Sequence, residues 1–282
     1  MFSQPSPNVH VRIFTQPVAD LLLLSDLHWD NPHCDRALLT RHLNQARDKG
    51  ARILLNGDTF CAMAGKYDPR ASKEGIRPEH QVNNYLDALV DSAVEWFRPW
   101  ADLIDFVGYG NHETSILKRQ ETDLCARFVR DLNAAVPGAA VQLGGYGGWY
   151  VARMYDGTAR VSFKMKYMHG YGGGGPVTKG IIQHTRMNTA IHGADALWMG
   201  HVHENYEQES AMEVLTNDYR VQLRPVLNLR TATYKEEYHQ GLGGWHVEKG
   251  SPGKSLGGRW LNLERRRENG RHYVAAASTK TT

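Results

Sequence analysis

One set of side chains in this sequence has the types expected of metal ligands and acid–base groups. The members are carboxylates, imidazoles and one amide: Asp26, His28, Asp58, Asn111, His112, His169, His201 and His203. Oxygen and imidazole groups without a thiolate are typical of Mn²⁺, Zn²⁺ or Fe sites rather than of a Cys-built structural zinc. So many groups exceed the needs of one catalytic ion, which favours two ions sharing a carboxylate, with Asp58 as the natural bridge.

The spacing of these groups supports the same interpretation. Two pairs are separated by a single residue, Asp26-x-His28 and His201-x-His203. An extended backbone would send both side chains of such a pair to one face. Glycines at positions 57, 110, 170 and 200 adjoin candidate groups, as expected where the backbone turns sharply or lets a substrate phosphate approach closely.

Apolar runs precede these polar positions and predict the strands that must hold them. The runs are residues 21–24, 52–55, 103–107, 161–168 and 196–199. Parallel strands of α/β proteins place ligand-binding groups beyond their carboxyl ends, so the candidate groups should meet at one edge. Helical spacing over 36–49 and 82–97 predicts helices between the first strands, and alternation after residue 140 predicts a second sheet. The fold class is therefore expected to be α/β.

Composition limits the class of protein. The chain has 282 residues, 33 Lys and Arg against 30 acidic residues, and fourteen His, which is high enough to favour metal or proton chemistry. A net charge of +3 is too mild to indicate a nucleic-acid partner. Three separated cysteines favour neither disulfides nor a thiolate zinc site. Without a signal pattern or a long apolar run, we expect a cytoplasmic protein that does not contact membranes.

The pattern predicts one main domain and a tail. The domain should cover residues 1–239, with a polar loop at 65–78 that borders a cleft. Residues 240–282 are Gly-rich and basic, with seven Lys or Arg against three Glu between 246 and 272. We expect this tail to be partly disordered.

Five motifs in order carry a resemblance to a known family. Asp-x-His, Gly-Asp, Gly-Asn-His-Glu, a lone His-Gly and Gly-His-x-His follow one another between about residues 20 and 235. Each motif alone is weak, but the ordered set resembles the calcineurin-like metallophosphoesterases. The resemblance implies a four-layer αββα sandwich of two mixed sheets, with two divalent ions, Mn²⁺ in preference to Zn²⁺ or Fe, at the strand ends.

The resemblance also implies a role for each residue. Asp26, His28 and His203 would hold one ion and Asp58 would bridge the two. A second set would hold the other ion: Asn111, His169 and His201. The ions would activate a bridging hydroxide for in-line attack on phosphorus. His112 would protonate the leaving group as a general acid.

Departures from the family pattern narrow the expected substrate. Phosphoprotein phosphatases follow Gly-Asp with a stretch whose arginine holds phosphate, whereas this chain has Thr59-Phe60-Cys61-Ala62. Those enzymes also lack the paired His-x-His ending. A further acid found shortly after Gly-Asp in many members is absent here, which puts an orienting role in that loop in doubt. These differences favour a phosphodiester over a phosphoprotein.

The expected activity is hydrolysis of a phosphodiester, with DNA, RNA or a nucleotide as the leading substrate class. A predicted helix over 177–191 carries Lys179, His184 and Arg186, of which the two basic residues could contact a phosphate backbone; the alternative is a solvated basic face. Two alternatives to the function remain open. One is a small-molecule phosphomonoesterase or nucleotide hydrolase, and the other is a non-catalytic metal-binding interaction module.

Overall fold

The computed structural model describes residues 1–63, 75–157, 159–248 and 250–282. Within these residues the strands form two mixed sheets with helices on their outer faces. The strands are β1 (Phe2–Ser6), β2 (Val9–Phe14), β3 (Val18–Leu24), β4 (Arg52–Asn56), β5 (Ile104–Gly108), β6 (Gln142–Leu143), β7 (Gly147–Tyr155), β8 (Arg160–Met168), β9 (Ala196–Met199), β10 (Tyr206–Leu215), β11 (Val221–Arg230), β12 (Arg259–Glu268) and β13 (Arg271–Lys280). The α-helices are α1 (Arg36–Lys49), α2 (Tyr85–Phe97), α3 (Asn111–Gln120), α4 (Leu124–Ala135), α5 (Ile181–Ala190) and α6 (Trp245–Glu248).

Both sheets contain the parallel neighbours that a shared edge requires. The six-stranded sheet has the order β13-β12-β3-β4-β5-β6, and β3, β4, β5 and β6 run parallel. The seven-stranded sheet has the order β1-β2-β7-β8-β9-β11-β10, and β8 is parallel to β9. The carboxyl ends of β3, β4 and β5 therefore lie at one edge of the first sheet, and those of β8 and β9 lie at one edge of the second.

The leucine run of β3 contributes side chains to two of the cores that join the layers. Leu22 and Leu24 pack into the core beneath the helices, whereas Leu21 and Leu23 pack into the core between the two sheets. Because successive side chains of a strand point to opposite faces, a strand buried on both faces must be apolar throughout. This accounts for four consecutive leucines in β3.

A third core completes the sandwich. Leu197 of β9 and Val226 of β11 pack with Met187 of α5 on the outer face of the seven-stranded sheet. Three cores separate four layers, so the expectation of a four-layer αββα sandwich of two mixed sheets is confirmed.

Two helices differ from the expected boundaries. Apolar residues from 116 to 132 keep a spacing that predicts one helix, but the chain forms α3 and α4, separated at Glu121, whose φ of 51° is left-handed. The helix predicted over 177–191 is shorter, because Gly180 has a φ of 77° and α5 begins only after it. By contrast, α1 has the predicted bounds, with an Asp35 cap and a left-handed Gly50 at its end.

The expectation of a partly disordered tail is wrong for residues 259–280. These residues form the β12–β13 hairpin, and β12 pairs antiparallel with β3. Leu261 and Leu263 are fully buried between the two sheets. The basic side chains that suggested disorder are concentrated toward the outer end of the hairpin, while its first half supplies core residues.

Two other expectations concern the polar loop beside the cleft and contact with membranes. The loop predicted to border a cleft covers 65–78, and its residues 65–74 lie outside the described part of the chain. Among the residues that the structure describes, no helix is long and apolar enough to cross a membrane.

Candidate metal centre

The candidate ligands follow the carboxyl ends of five strands. Asp26 and His28 follow β3, Asp58 follows β4, and Asn111 begins α3 just after β5. The remaining three follow strands of the seven-stranded sheet, with His169 after β8, then His201 and His203 after β9. The sheets face each other, so all seven side chains converge on one region at the edge of the sandwich.

The backbone at this edge is held in unusual conformations. Five candidate ligands have left-handed φ angles between 45° and 73°: Asp26, His28, Asp58, His201 and His203. Such conformations are costly for residues other than glycine and cluster at functional sites, where surrounding structure maintains them. The prediction of an extended backbone through both His-containing pairs is therefore wrong. Left-handed turns, rather than strand alternation, aim these side chains.

Asp26, His28 and His203 form the first group of potential ligands. One ligand atom from each lies within 4.8 Å of the others. The Nε2 atoms of His28 and His203 are 3.4 Å apart, and His203 Nε2 is 3.5 Å from Asp26 Oδ1. Burial, followed by the charge of His112, holds the pKa of His28 well below its usual value, so this imidazole is neutral and keeps a lone pair for a metal.

Asp58, His169 and His201 form the second group, again with ligand atoms within 4.8 Å of one another. His169 Nε2 lies 3.2 Å from Asp58 Oδ2 and 3.3 Å from Asn111 Oδ1. His201 Nδ1 lies 2.8 Å from the same Asn111 oxygen. His169 Nε2 is also 3.9 Å from Asp26 Oδ1, which brings the two groups into contact.

Hydrogen bonding on the far side of each ring fits this second group to a cation. His169 Nδ1–H donates to the carbonyl of Asn56, at 2.9 Å, and His201 Nε2–H donates to the carbonyl of Gly172, also at 2.9 Å. In the neutral rings the other nitrogen then carries a lone pair, and those lone pairs face the oxygens of Asp58 and Asn111. Acceptors directed at one another need a positive charge between them, which is either a proton on the ring or a metal ion in its place. This is the usual arrangement of metal-binding histidines, whose second nitrogen donates to a backbone carbonyl.

The pKa shifts of His169 and Asp58 also indicate that this region favours a cation. Burial alone would lower the pKa of His169, but the carboxylates of Asp58 and Asp26 outweigh burial and raise that pKa to about 10. Burial would likewise raise the pKa of Asp58, but the imidazoles of His169 and His112 hold it well below its usual value. The pocket therefore attracts positive charge, which two divalent ions would supply.

His112 is placed to serve the centre without belonging to either group above. Its Nδ1–H donates to the carbonyl of Cys61 at 2.6 Å, and its backbone N–H donates to Asp58 Oδ1 at 3.0 Å. Its Nε2 lies 3.9 Å from Asp58 Oδ2, and its ring meets that of His28 edge-on at 4.8 Å. Nε2 is thus the atom that faces the centre.

Glu113 has no role assigned from sequence, yet it joins the loops that carry two candidate ligands. Its carboxylate is buried and accepts backbone N–H bonds from Asp58 at 3.1 Å, Phe60 at 2.9 Å and Gly110 at 2.8 Å. Burial and the charge of Asp58 raise the pKa of Glu113 to about 8. An acidic residue at the third position of a helix is a capping-box signal that could have indicated this role.

Asp30 was also missed, and it fixes the loop that follows Asp58. Its two oxygens accept the backbone N–H groups of Cys61, at 2.5 Å, and Ala62, at 2.8 Å. That loop supplies the carbonyl that orients His112. No pattern signals this role, because the contact depends on how the loop folds back.

Two of the glycines that adjoin candidate ligands, Gly57 and Gly110, allow close packing of the loops that carry those ligands. A Cβ on Gly57 would come within 2.6 Å of His169 Nδ1, and a Cβ on Gly110 would overlap the carboxylate of Asp58. The small residues thus let candidate ligands, rather than a substrate, approach the backbone.

Lys179 and Arg186 were predicted to contact substrate. Lys179 lies just before α5 and Arg186 lies within it, and both side chains are exposed to solvent. Their neighbour His184 is buried and bonded to the hydroxyl of Tyr206 at 2.7 Å, and burial lowers its pKa to about 3. The structure therefore makes His184 a packing residue and leaves the two basic side chains at the surface.

Comparisons with known proteins find structural likeness only. No family model and no curated protein matches this sequence. A structure of vacuolar protein sorting 29 from Cryptosporidium parvum is 14% identical, with 94% of this chain and 100% of that one covered and a TM-score of 0.41. A conserved uncharacterized protein from Streptococcus pneumoniae, described as a predicted phosphoesterase, is 12% identical, with 95% and 100% covered and a TM-score of 0.31. Vacuolar protein sorting 29 from Entamoeba histolytica, complexed with Zn²⁺, is 12% identical, with 93% and 98% covered and a TM-score of 0.35. Likeness at this level carries no information about activity.

Proposed function

We propose that this protein is a metal-dependent phosphoesterase that hydrolyses a phosphodiester of nucleic acid or a nucleotide. One observation carries the proposal: two groups of potential ligands, each with two imidazoles and a carboxylate, converge from the ends of strands in both sheets. Oxygen and nitrogen ligands in adjoining groups suit two divalent ions, with Mn²⁺ preferred to Zn²⁺ or Fe.

Each residue then has a defined task. When bound, the two ions would lower the pKa of a shared water and offset charge on the phosphoryl oxygens. Asp58 would lie between the ions, since it contacts His169 in one group and lies close to His112 beside the other. His112 would present Nε2–H to the leaving oxygen, while its Nδ1–H bond to Cys61 keeps the ring oriented.

The diester preference rests on the loop after Asp58. Residues Thr59, Phe60, Cys61 and Ala62 are all buried, and none is a cation that could hold a phosphate dianion. A diester carries one negative charge fewer than a monoester at neutral pH, so it requires less compensation from side chains.

The first test uses bis-p-nitrophenyl phosphate with Mn²⁺. We expect the wild-type protein to release p-nitrophenol and Asp58→Asn to lose roughly a hundredfold or more in kcat/KM, since even residues that only support a ligand cost about 10–100-fold. Asp131→Asn is the matched control, because the Asp131 side chain on α4 is 31% exposed and pairs with its neighbour Arg130. If no phosphoester is hydrolysed with Mn²⁺, Zn²⁺ or Fe²⁺, the protein is a non-catalytic metal-binding module.

A second experiment separates polymeric from small substrates. A nuclease should degrade a labelled DNA or RNA strand and lose rate steeply as salt rises, because phosphate contacts release counterions. Turnover of nucleotides alone, with no salt-dependent cleavage of either polymer, would instead indicate a nucleotide hydrolase.

A further inference from the structure

A cavity of about 260 Å³ opens beside the metal centre and is called the side pocket below. Candidate ligands His201 and His203 form one wall. The rest of the lining comes from the glycine segment 172–174, from Val202 and from three residues of the C-terminal part of the chain: His246, Ser251 and Lys254. The pocket is thus continuous with the proposed catalytic site, yet much of its chemistry comes from a segment outside the five motifs.

The C-terminal wall is held in place by specific contacts. The backbone N–H of His246 donates to the carbonyl of Glu237 at 3.3 Å, and that of Ser251 donates to the carbonyl of His246 at 2.8 Å. The ammonium of Lys254 pairs with Glu204, and these side chains are only 8% and 15% exposed. His246 is 2% exposed. Polar groups fixed in this way before binding lose little entropy when a ligand arrives.

The charges around the pocket favour an anion over a third cation. His203, Glu237 and His246 offer ligand atoms within 4.8 Å of one another, which by itself could suit a metal. However, the ammonium of Lys235 lies 2.5 Å from Glu237 Oε1 and already offsets its charge. Lys254 is paired with Glu204, but neither glutamate lines the pocket, so the Lys254 ammonium is the one charged group in the described lining. A further divalent ion would meet that ammonium and no carboxylate of the lining, whereas an anion would be attracted by it.

Size and lining indicate what kind of anion would fit. Cavities for drug-sized ligands measure about 300–1,000 Å³, so this one suits a single compact group rather than a large ring system. Three consecutive glycines leave the backbone at the wall uncovered, and such segments let backbone N–H groups approach phosphate closely. Lysine and imidazole donors complete a lining suited to phosphate oxygens.

We propose that the side pocket binds a second phosphate group of the substrate, carried on the same sugar as the scissile phosphate, and that Lys254 and His246 recognise it. This inference rests on the proposed function and narrows it to substrates with two neighbouring phosphates, such as a nucleotide within a strand or a nucleoside bisphosphate. Lys254 and His246 are specificity-determining residues in this scheme, because they touch the substrate away from the reacting bond.

The test uses matched pairs of chromogenic esters with Mn²⁺. One pair is thymidine 5′-(p-nitrophenyl phosphate) with and without a 3′-phosphate, and the other is thymidine 3′-(p-nitrophenyl phosphate) with and without a 5′-phosphate. The wild-type protein should prefer the bisphosphate in at least one pair by roughly tenfold in kcat/KM, the effect of one charge-assisted hydrogen bond. Lys254→Gln and His246→Gln should reduce that preference, measured as the ratio of the two kcat/KM values within a pair.

Two controls separate recognition from altered folding. Lys254→Gln leaves Glu204 without its partner, so the double variant Lys254→Gln/Glu204→Gln, which restores a neutral pair, should lose the preference as well. Lys164→Gln changes an exposed lysine on β8 and should keep it. Equal rates for both members of each pair in the wild-type protein, or a preference that survives in the Lys254 variants, would overturn the inference.

Failure of the proposed function gives a different result. If neither bis-p-nitrophenyl phosphate nor any of the four esters is cleaved with Mn²⁺, Zn²⁺ or Fe²⁺, the enzyme assignment is wrong, and calorimetric binding of thymidine 3′,5′-bisphosphate then decides the pocket alone. Binding that weakens roughly tenfold in Lys254→Gln supports the pocket. The same Kd in both proteins rejects it.

Discussion

The carboxylate of Glu113 couples the two loops that present Asp58 and Asn111. One oxygen accepts the N–H groups of Asp58 and Gly110, and the other accepts that of Phe60. The positions of both candidate ligands therefore depend on a residue that belongs to neither group of potential ligands. Residues that support metal ligands in this way tune affinity as strongly as some ligands do.

Glu113→Gln should weaken Mn²⁺ binding about 10- to 100-fold, the usual effect of losing a residue that supports a ligand. Glutamine offers only one oxygen, so its NH₂ group would oppose one of the three backbone N–H groups. Isothermal titration calorimetry would measure the change in Kd. Glu95→Gln is the matched control, because that side chain is 76% exposed. A folded Glu113→Gln protein with an unchanged Kd would show that the loops hold Asp58 and Asn111 without this carboxylate.

For single residues, the sequence predicted which side chains belong to the candidate site and which strand ends carry them. It did not predict the backbone conformation that directs those side chains into the site. Asp26 and His28 stand after a leucine run, and this was enough to place them at the strand end. Their left-handed backbone depends on hydrogen bonds to residues far along the chain, such as the bond from the His28 N–H to the Asp58 carbonyl at 3.0 Å. A local pattern does not contain that information, which is also why Asp30 was missed.

The β12–β13 hairpin is the element whose contribution to the core was not predicted from the sequence. Leu261 and Leu263 alternate with Trp260 and Asn262, which is a strand pattern, but the surrounding glycines and arginines suggested a solvated tail. Pairing with β3 places both leucines between the sheets. Because β3 ends at Leu24, two residues before Asp26, the hairpin covers the edge of a strand that leads into the candidate site.

Leu263→Ala should lower the free energy of unfolding by about 2–5 kcal/mol, the usual range for a fully buried leucine. The cause is the loss of apolar contacts together with the cavity that is left between the sheets. Urea unfolding followed by circular dichroism would measure the change. Leu223→Ala is the control, since Leu223 is 68% exposed and should change stability by less than about 0.5 kcal/mol. Equal, small effects for the two variants would mean that the hairpin is not part of the core in solution.

The break between α3 and α4 shows the same limit of local patterns. Apolar positions such as Ile116, Leu124 and Phe128 continue across the break because both helices pack on one core. The left-handed turn at Glu121 contains no glycine or proline that would have predicted it from the sequence. The strands were more predictable, since a strand buried on both faces is apolar throughout and ends sharply.

Across the whole molecule, the candidate centre joins the two sheets. Asp26, His28, Asp58 and Asn111 come from the six-stranded sheet, and the other three candidate ligands come from the seven-stranded sheet. The order of polar strand ends was enough to predict that these groups meet, because parallel strands share their carboxyl edge. Which sheet each strand joins, and how the sheets face each other, follows from long-range pairing that no local pattern specifies.

Removing divalent metal should therefore lower the melting temperature of the entire sandwich. Ions held by side chains from both sheets bind only the folded state, so they stabilise it by mass action. With 1 mM Mn²⁺ and a Kd near 1 µM, one site adds about 4 kcal/mol to the free energy of unfolding. For a domain of about 150–250 residues this corresponds to roughly 8–16 °C in Tm. Differential scanning calorimetry with Mn²⁺ and with EDTA, at one scan rate, would measure the shift. His169→Ala should reduce the shift in Tm, because it removes one of the imidazoles that would hold an ion together with Asp58 and His201. A Tm that is the same in Mn²⁺ and EDTA would exclude a metal centre that joins the sheets.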